Sequence, residues 1–396
     1  MKNWSLRAAR IVAEESDHLD GRIGIADGRI TDVSDGEATV DLGDATILPG
    51  LIDIHIHGRE GRDVMDADPE SLRIISSSLA MHGVTGFLAT TVTADWDVTL
   101  SALSTVADMA DASLPGARLM GAYSEGLFFS EAHKGAHNPD FFLEPTPERL
   151  AEMMAAARGW LKVIALAPER AGGLEAVRYI VANGMRAVIG HTDATYEQAR
   201  AALECGASGG VHIFNGMRGI HHREPGCAGA MLLAPATVEV IADGVHLHDA
   251  ILELIARTKS PGDILLISDC MCAGGLTDGQ YRLGEMDVAV EDGVVRTPSG
   301  SLAGSTLTLD AAVARMARAS GLDFRAAVHA ASLAPARFLG IDADYGSIAP
   351  GKAADLAIFD GDRVRATIVG GSLVWCDSDW SRTADLRSIL PIASCA

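Results

Sequence analysis

The sequence predicts an α/β fold: a (β/α)₈ TIM-like barrel joined to a small β-sandwich built from both chain ends. Three observations predict it. Apolar strand-like runs alternate with helix-like stretches through the middle of the 396 residues, the pattern of a parallel sheet wrapped by helices. Eight such runs occur, each mostly apolar on both faces, as a barrel strand requires. The two ends, by contrast, share short β-type runs broken by turn signals.

Taken in chain order, residues 6–50 carry "ARIV", "GRIGIADGRITDV", "TVDL" and "ATILPG", with Asp27-Gly28 as a hairpin-type step. The eight barrel strands are expected at 51–57, 84–91, 117–125, 163–169, 186–192, 209–215, 238–244 and 264–269. Residues 346–376 return to the style of the first fifty in "GSIAPGKAADLAIFDGDRVRATIVGGSLVW". The expected organisation is thus a small domain from 1–50 and 346–396 and a catalytic barrel over 51–345.

A barrel of this kind carries its active site at the C-terminal ends of its strands. Polar residues collect there. Strand one ends in His55 and His57, strand three in Glu125, strand four in Glu169 and strand five in His191. Strand six ends in His212 and Asn215, strand seven in Asp243 with His246 just beyond, and strand eight in Asp269. In a strand, residues i and i+2 share a face, so His55 and His57 would stand side by side and compete for partners unless one group bound both. Several histidines converging with a carboxylate make a ligand set for Zn²⁺ or Fe²⁺. The chemistry such a site supports is hydrolysis of an amide or a close relative, with Asp269 as the general base and acid.

Bulk properties narrow the partners. Formal charge is −21, from 53 acidic and 32 basic residues, and only five of the basic ones are lysine. Such a surface repels nucleic acid and anionic membrane, so neither is an expected partner. The six cysteines show no disulfide-framework spacing, which suits a reducing compartment. The opening "MKNWSLRAARIVAEE" has no apolar h-region and no run is long enough to span a bilayer, so a cytoplasmic location is expected.

The stretch "LPGLIDIHIHG", the strand-end histidines and aspartate, and the "GSIAPGKAADLAIFD" return resemble the amidohydrolase superfamily. More narrowly, "SEGLFF", "HKGAHNP", "ALAPE", "GHTDATYEQ", "HIFNGM", "HHREPG", "IADGVHLH" and "LAGSTLTL" resemble the N-acetylglucosamine-6-phosphate deacetylases, in the family's order from about residue 47 to 360. The resemblance implies that Glu125, His191 and His212 hold one metal and that Asp269 is the acid/base. It implies that Asn215, the backbone at Gly216, Arg223 and His246 hold a small-molecule amino sugar phosphate, and that His137 contacts the sugar or its acetyl group. It further implies a homodimer, whose partner subunit completes the site near "HHREPG". Because this chain keeps His55 and His57, one or two divalent ions per chain are expected, zinc foremost, with iron, manganese or cobalt as alternatives.

Two departures from the family pattern stand out. The family usually has Leu-Glu-Gly-Pro-Phe around its metal glutamate, whereas this chain has Ser124-Glu125-Gly126-Leu127-Phe128. Where the family has Thr-Asp-Ala, this chain has Ser268-Asp269-Cys270, followed by Cys272. The cysteines either reach a soft metal or pack as small apolar groups. Cyclic-amide hydrolases bridge their metals with a carboxylated lysine, but Lys162 begins its strand, Lys134 lies in a loop and Lys259 follows a helix. A non-catalytic scaffold would be expected to lose ligands or base. Within the enzyme reading, the alternative substrates are N-acetylgalactosamine 6-phosphate and unphosphorylated N-acetylhexosamines.

Overall fold

The computed structural model describes residues 3–391; Cys395 lies outside them. Eight parallel strands, one in each expected place and in chain order, form the central sheet: Leu51–Ile56, Val84–Thr91, Arg118–Ser124, Leu161–Leu166, Arg186–Ile189, Gly209–Gly210, Thr237–Val240 and Ile264–Leu266. The sheet closes where the Asp269 N–H donates to the His55 carbonyl (2.9 Å) and the His57 N–H to the Cys270 carbonyl (2.9 Å). One face of each strand packs inward on a core that includes Ile52, Leu88, Tyr123, Val163, Val188, Val211 and Leu265. The other packs on the helices through residues such as Leu51, Phe87, Ile164, Ile189 and Val238. This double burial is why the strands read as unbroken apolar runs.

Several strands end earlier than their apolar runs suggest. Only Gly209–Gly210 of the 209–215 run pairs as a strand, because His212 (φ 23°) and Phe214 (φ 75°) leave extended geometry. His191 (φ 45°) and Asp269 (φ 50°) turn the same way just past their strands. Left-handed backbone is costly for a β-carbon-bearing residue and concentrates at functional sites. Three of the strand-end residues that the pattern marked, His191, His212 and Asp269, thus take left-handed backbone just past their strands.

Eight helices follow the eight strands, from Pro69–Ala80 to Leu309–Ala319. The segment after His191 shows how a loop is fixed locally. Thr195 accepts from the Gln198 N–H, and Gln198 accepts from the Thr195 N–H, a capping box that starts helix Tyr196–Glu204 and pins the "HTDAT" turn. Between strand eight and its helix, the chain adds an antiparallel sheet of Gly279–Leu283, Met286–Glu291 and Val294–Arg296. Its second turn, Asp292-Gly293, has positive φ at both residues (52° and 74°), as a tight hairpin needs.

The remaining large sheet draws strands from both chain ends. Its order is Ser372–Cys376, Arg363–Val369, Leu356–Asp360, Thr46–Pro49, Trp4–Val12, Asp17–Ala26 and Arg29–Ser34, with Val40–Asp41 beside Trp4–Val12. It has its own core, including Trp4, Leu6, Ile23, Ile47, Leu356 and Ile368. Asp355 joins the two halves: its carboxylate takes Arg118 at 2.8 Å and its carbonyl takes the Gly50 N–H at 2.9 Å. Among the described residues, no helix is long and apolar enough to cross a membrane.

Candidate active site

A β-bulge sets the first two histidines. Between Asp53 and Ile56, strand one slips against strand two, with Asp53 opposite Phe87 but Ile56 opposite Ala89. The extra residue re-aims the chain, so that Ile54 joins the inner core while His55 and His57 both reach the cluster at its C-terminal end, their ring centroids 5.2 Å apart. Both are buried.

Glu125, just past strand three and 3 % exposed, lies at the centre. Its Oε1 is 3.0 Å from His212 Nε2, 3.3 Å from His191 Nε2 and 3.6 Å from His55 Nε2. Its Oε2 is 3.3 Å from His57 Nε2 and 3.5 Å from His137 Nε2. Asp269 Oδ1 lies 3.2 Å from His57 Nε2 and 3.7 Å from His55 Nε2. Two overlapping groups result, His55–His57–Glu125 and Glu125–His191–His212, each close enough to hold one ion.

The second ring nitrogens decide whether a metal fits. His191 Nδ1 faces the His133 carbonyl (2.9 Å), His212 Nδ1 the Asn215 carbonyl (3.1 Å), His57 Nδ1 the Thr90 carbonyl (3.2 Å) and His55 Nδ1 the Glu239 carboxylate (2.9 Å). Each acceptor places the proton on Nδ1 and leaves the Nε2 lone pair facing the centre, the arrangement of metal-bound histidines. His55 Nε2 is buried with no hydrogen-bond partner, and the Nε2 atoms of His191 and His212 face each other at 3.2 Å. The carboxylates also draw positive charge to this centre. Burial pulls the His57 pKa down, but Asp269 and Glu125 outweigh it and hold it up to about 9. Burial and the neighbouring His137 drive His191 down to about 4. Burial would push Glu125 up, yet His55 and the bonds from His137, His191 and His212 keep it well below the usual carboxylate range. This donor set fits a divalent metal.

A cavity of about 400 Å³ opens over the cluster, a volume typical of small-molecule sites. His57, Glu125, His137, His191, His212, Asn215, Gly216, His246 and Asp269 all line it. His246 is held by Asp243, its Nδ1 2.7 Å from Oδ2. Gly216 has φ 58°, and a Cβ there would stand 2.9 Å from the His191 ring, so glycine is what lets this loop pass the histidine.

Other residues have further contacts or lie apart from the cavity. His137, read as a sugar contact, sits within the ligand cluster, its Nε2 3.2 Å from His191 Nε2 and its Nδ1 2.8 Å from Thr93 Oγ1. Asn215 turns its side-chain NH₂ to the carbonyls of His212 and Ile213, so it also braces the His212 turn. Arg223 is exposed beside His222 and does not line the cavity of this chain. Glu169 accepts from the Thr192 hydroxyl and the Asp193 N–H, a loop anchor outside the cavity. Lys162 binds the Gly159 carbonyl before its strand, and Lys259 is tied to the carbonyls of Met231 and Ala234, so neither reaches the cluster. Cys270 and Cys272 are free and buried, and burial pushes both thiols up to about 11; they belong to neither ligand group.

Leu127, where the family has proline, has φ 71°. Proline, locked near about −65°, could not occupy that conformation. Leucine at this position is thus compatible with a backbone that proline would forbid. Sequence reasoning also missed Leu283 of the hairpin sheet, which lines the cavity, and Glu239, signalled by one charge in the strand "TVEV".

Residues 46–374 match the sequence model of the "Amidohydrolase family". The chain belongs to that family. It is 45% identical to the N-acetylglucosamine-6-phosphate deacetylase of Vibrio furnissii over 346 residues, 86% of each chain. It is 43% identical to the N-acetylgalactosamine-6-phosphate deacetylase of Escherichia coli O157:H7 over 357 residues, 90% of this chain and 94% of that one. Among solved structures it is similar to a mutant N-acetyl-D-glucosamine-6-phosphate deacetylase of Mycobacterium smegmatis in complex with N-acetyl-D-glucosamine 6-phosphate. That likeness has a TM-score of 0.91 and 35% identity, covering 94% of this chain and all of the other.

Proposed function

We propose that the protein is a metal-dependent hydrolase that converts N-acetyl-D-glucosamine 6-phosphate to D-glucosamine 6-phosphate and acetate. The observation that carries this reading is the convergence of Glu125, four imidazoles and Asp269 at the floor of one cavity, in an amidohydrolase. His55, His57, Glu125, His191 and His212 would hold one or two divalent ions, zinc foremost, with iron, manganese or cobalt as alternatives. Such an ion, when bound, acidifies water and polarises the acetyl carbonyl. The chain's own part is proton transfer and positioning. Asp269 takes a proton from the attacking water and returns it to the amine nitrogen as the C–N bond breaks, so that acetate and the amino sugar leave. Asn215, the backbone at Gly216 and His246 border the space for the sugar phosphate, and His137 adjoins both the ligand cluster and the cavity.

N-acetylgalactosamine 6-phosphate is the second reading, favoured by the Escherichia coli O157:H7 relative. Acetate release from phosphorylated and free N-acetylhexosamines, with metal analysis of the same preparation, tests both. Fastest release from the gluco 6-phosphate is expected; faster release from the galacto epimer would shift the substrate, and no release from any would overturn the proposal.

Arg223 enters as part of a homodimer. Its planar fork suits phosphate oxygens, and its exposure leaves it free to reach a partner's cavity. Arg223→Ala should raise KM for the 6-phosphate sugar much more than for the unphosphorylated analogue. Mixing Arg223→Ala with Asp269→Asn chains should restore about a quarter of wild-type sites, because half of the dimers are hybrids with one intact site each. No recovery on mixing would remove Arg223 from the partner's site. The five described cysteines, all free, accord with a cytoplasmic enzyme.

A further inference from the structure

Barrel strand seven, Thr237–Val240, carries one charged residue. Val238 and Val240 pack outward among the helices, so the alternate residue, Glu239, points into the barrel, where Val211, Ile241 and Leu265 form the apolar core. It is 1 % exposed. A buried carboxylate is unfavourable unless hydrogen-bonded and balanced in charge. Glu239 Oε1 accepts from the Tyr123 hydroxyl at 3.1 Å, and Oε2 accepts from His55 Nδ1 at 2.9 Å. Among the described residues, its ion-pair partner is His55, not an arginine or a lysine. Tyr123 also packs on the His55 ring, with centroids 4.6 Å apart.

The four histidines of the two ligand groups differ in one respect. His57, His191 and His212 give their Nδ1 protons to neutral backbone carbonyls, and His55 gives its own to a carboxylate. A carboxylate behind the ring fixes the tautomer, aims Nε2 and makes that nitrogen a stronger donor than a carbonyl does. The effect falls on His55, hence on the His55–His57–Glu125 group and not on Glu125–His191–His212.

We propose that Glu239 is a positioning residue that sets the affinity of the His55–His57–Glu125 group for a divalent cation, with Tyr123 holding the carboxylate in register. The proposal rests on the reading that His55 and His57 hold a second ion, and the test separates the two. Metal-stripped full-length protein is titrated with Co²⁺ or Zn²⁺ alone, as wild type, Glu239→Gln, Tyr123→Phe and His55→Ala/His57→Ala. Glu239→Gln keeps the shape and removes the charge. It should weaken the second equivalent by about 10–100-fold and leave the first unchanged. A merely structural role would loosen both equivalents alike. Tyr123→Phe should weaken the second equivalent to a smaller degree, and it decides the matter if Glu239→Gln does not fold. Two equivalents of unchanged affinity in these variants would overturn the role of Glu239 alone. One equivalent in wild type, unchanged in the double histidine variant, would overturn the second ion and this proposal with it.

Discussion

Asp269→Asn is expected to lower kcat by about 10²-fold or more, the scale of a lost general acid–base group, while the protein still binds substrate and an ion at Glu125–His191–His212. The substitution is chosen for its backbone as well as its chemistry. Asp269 has φ 50°, and asparagine adopts that left-handed conformation more readily than most residues. The anchoring bonds are main-chain ones, from the Asp269 N–H to His55 (2.9 Å) and from the Ser305 N–H to the Asp269 carbonyl (2.7 Å), and they survive the change. The amide presents an oxygen of similar size toward His57 but cannot take a proton from water or hand one to the amine. Turnover, metal content and substrate binding are measured on one preparation. Near-normal kcat would remove Asp269 from the proton path. Loss of all bound metal would make it a ligand rather than a base.

Much of this site was legible because barrel strands are buried on both faces. A polar residue at the end of such a strand has few reasons to be there, so His55, His57, Glu125, His191, His212 and Asp269 stood out as a set. What pattern could not supply was conformation. The bulge that lets Ile54 and His55 share the barrel interior depends on pairing between strands one and two, which alternation alone does not encode. The left-handed turns at His191 and His212, whose ring Nδ1 atoms face the His133 and Asn215 carbonyls, shortened strands that apolar runs had extended.

Glu169 and Arg223 show what position in the chain leaves open. Both lie beside motifs that carry chemistry, yet Glu169 spends its carboxylate on the loop after strand five, and Arg223 points to solvent from its own chain. Position along the chain located their loops but not the direction of their side chains. Glu239 was passed over for a related reason. A single charge within four residues of strand gives too little periodicity to tell an inward carboxylate from a solvated one, and only its contacts with His55 and Tyr123 distinguish them.

The largest expected effect falls on Glu125, because it belongs to both ligand groups. Titration of stripped wild-type protein is expected to reach up to two equivalents, the second weaker. His55→Ala/His57→Ala should retain the one ion of the Glu125–His191–His212 group. Glu125→Ala should retain neither tightly, and its deacetylase activity should fall to about that of the stripped protein, since each group is left with two imidazoles where a structural or catalytic site takes three or four protein ligands. Burial sharpens the loss: Glu125 is 3 % exposed, and removing it strands the buried imidazoles around it where no other described carboxylate lies within ion-pair distance of His191 or His212. His57 keeps Asp269 at 3.2 Å, so any residual binding in Glu125→Ala should be weak and should disappear when Asp269→Asn is added. Metal analysis alongside the titration separates the cases. Two tightly held ions in Glu125→Ala would mean that the carboxylate at the centre of the cluster is not the bridge between its two halves.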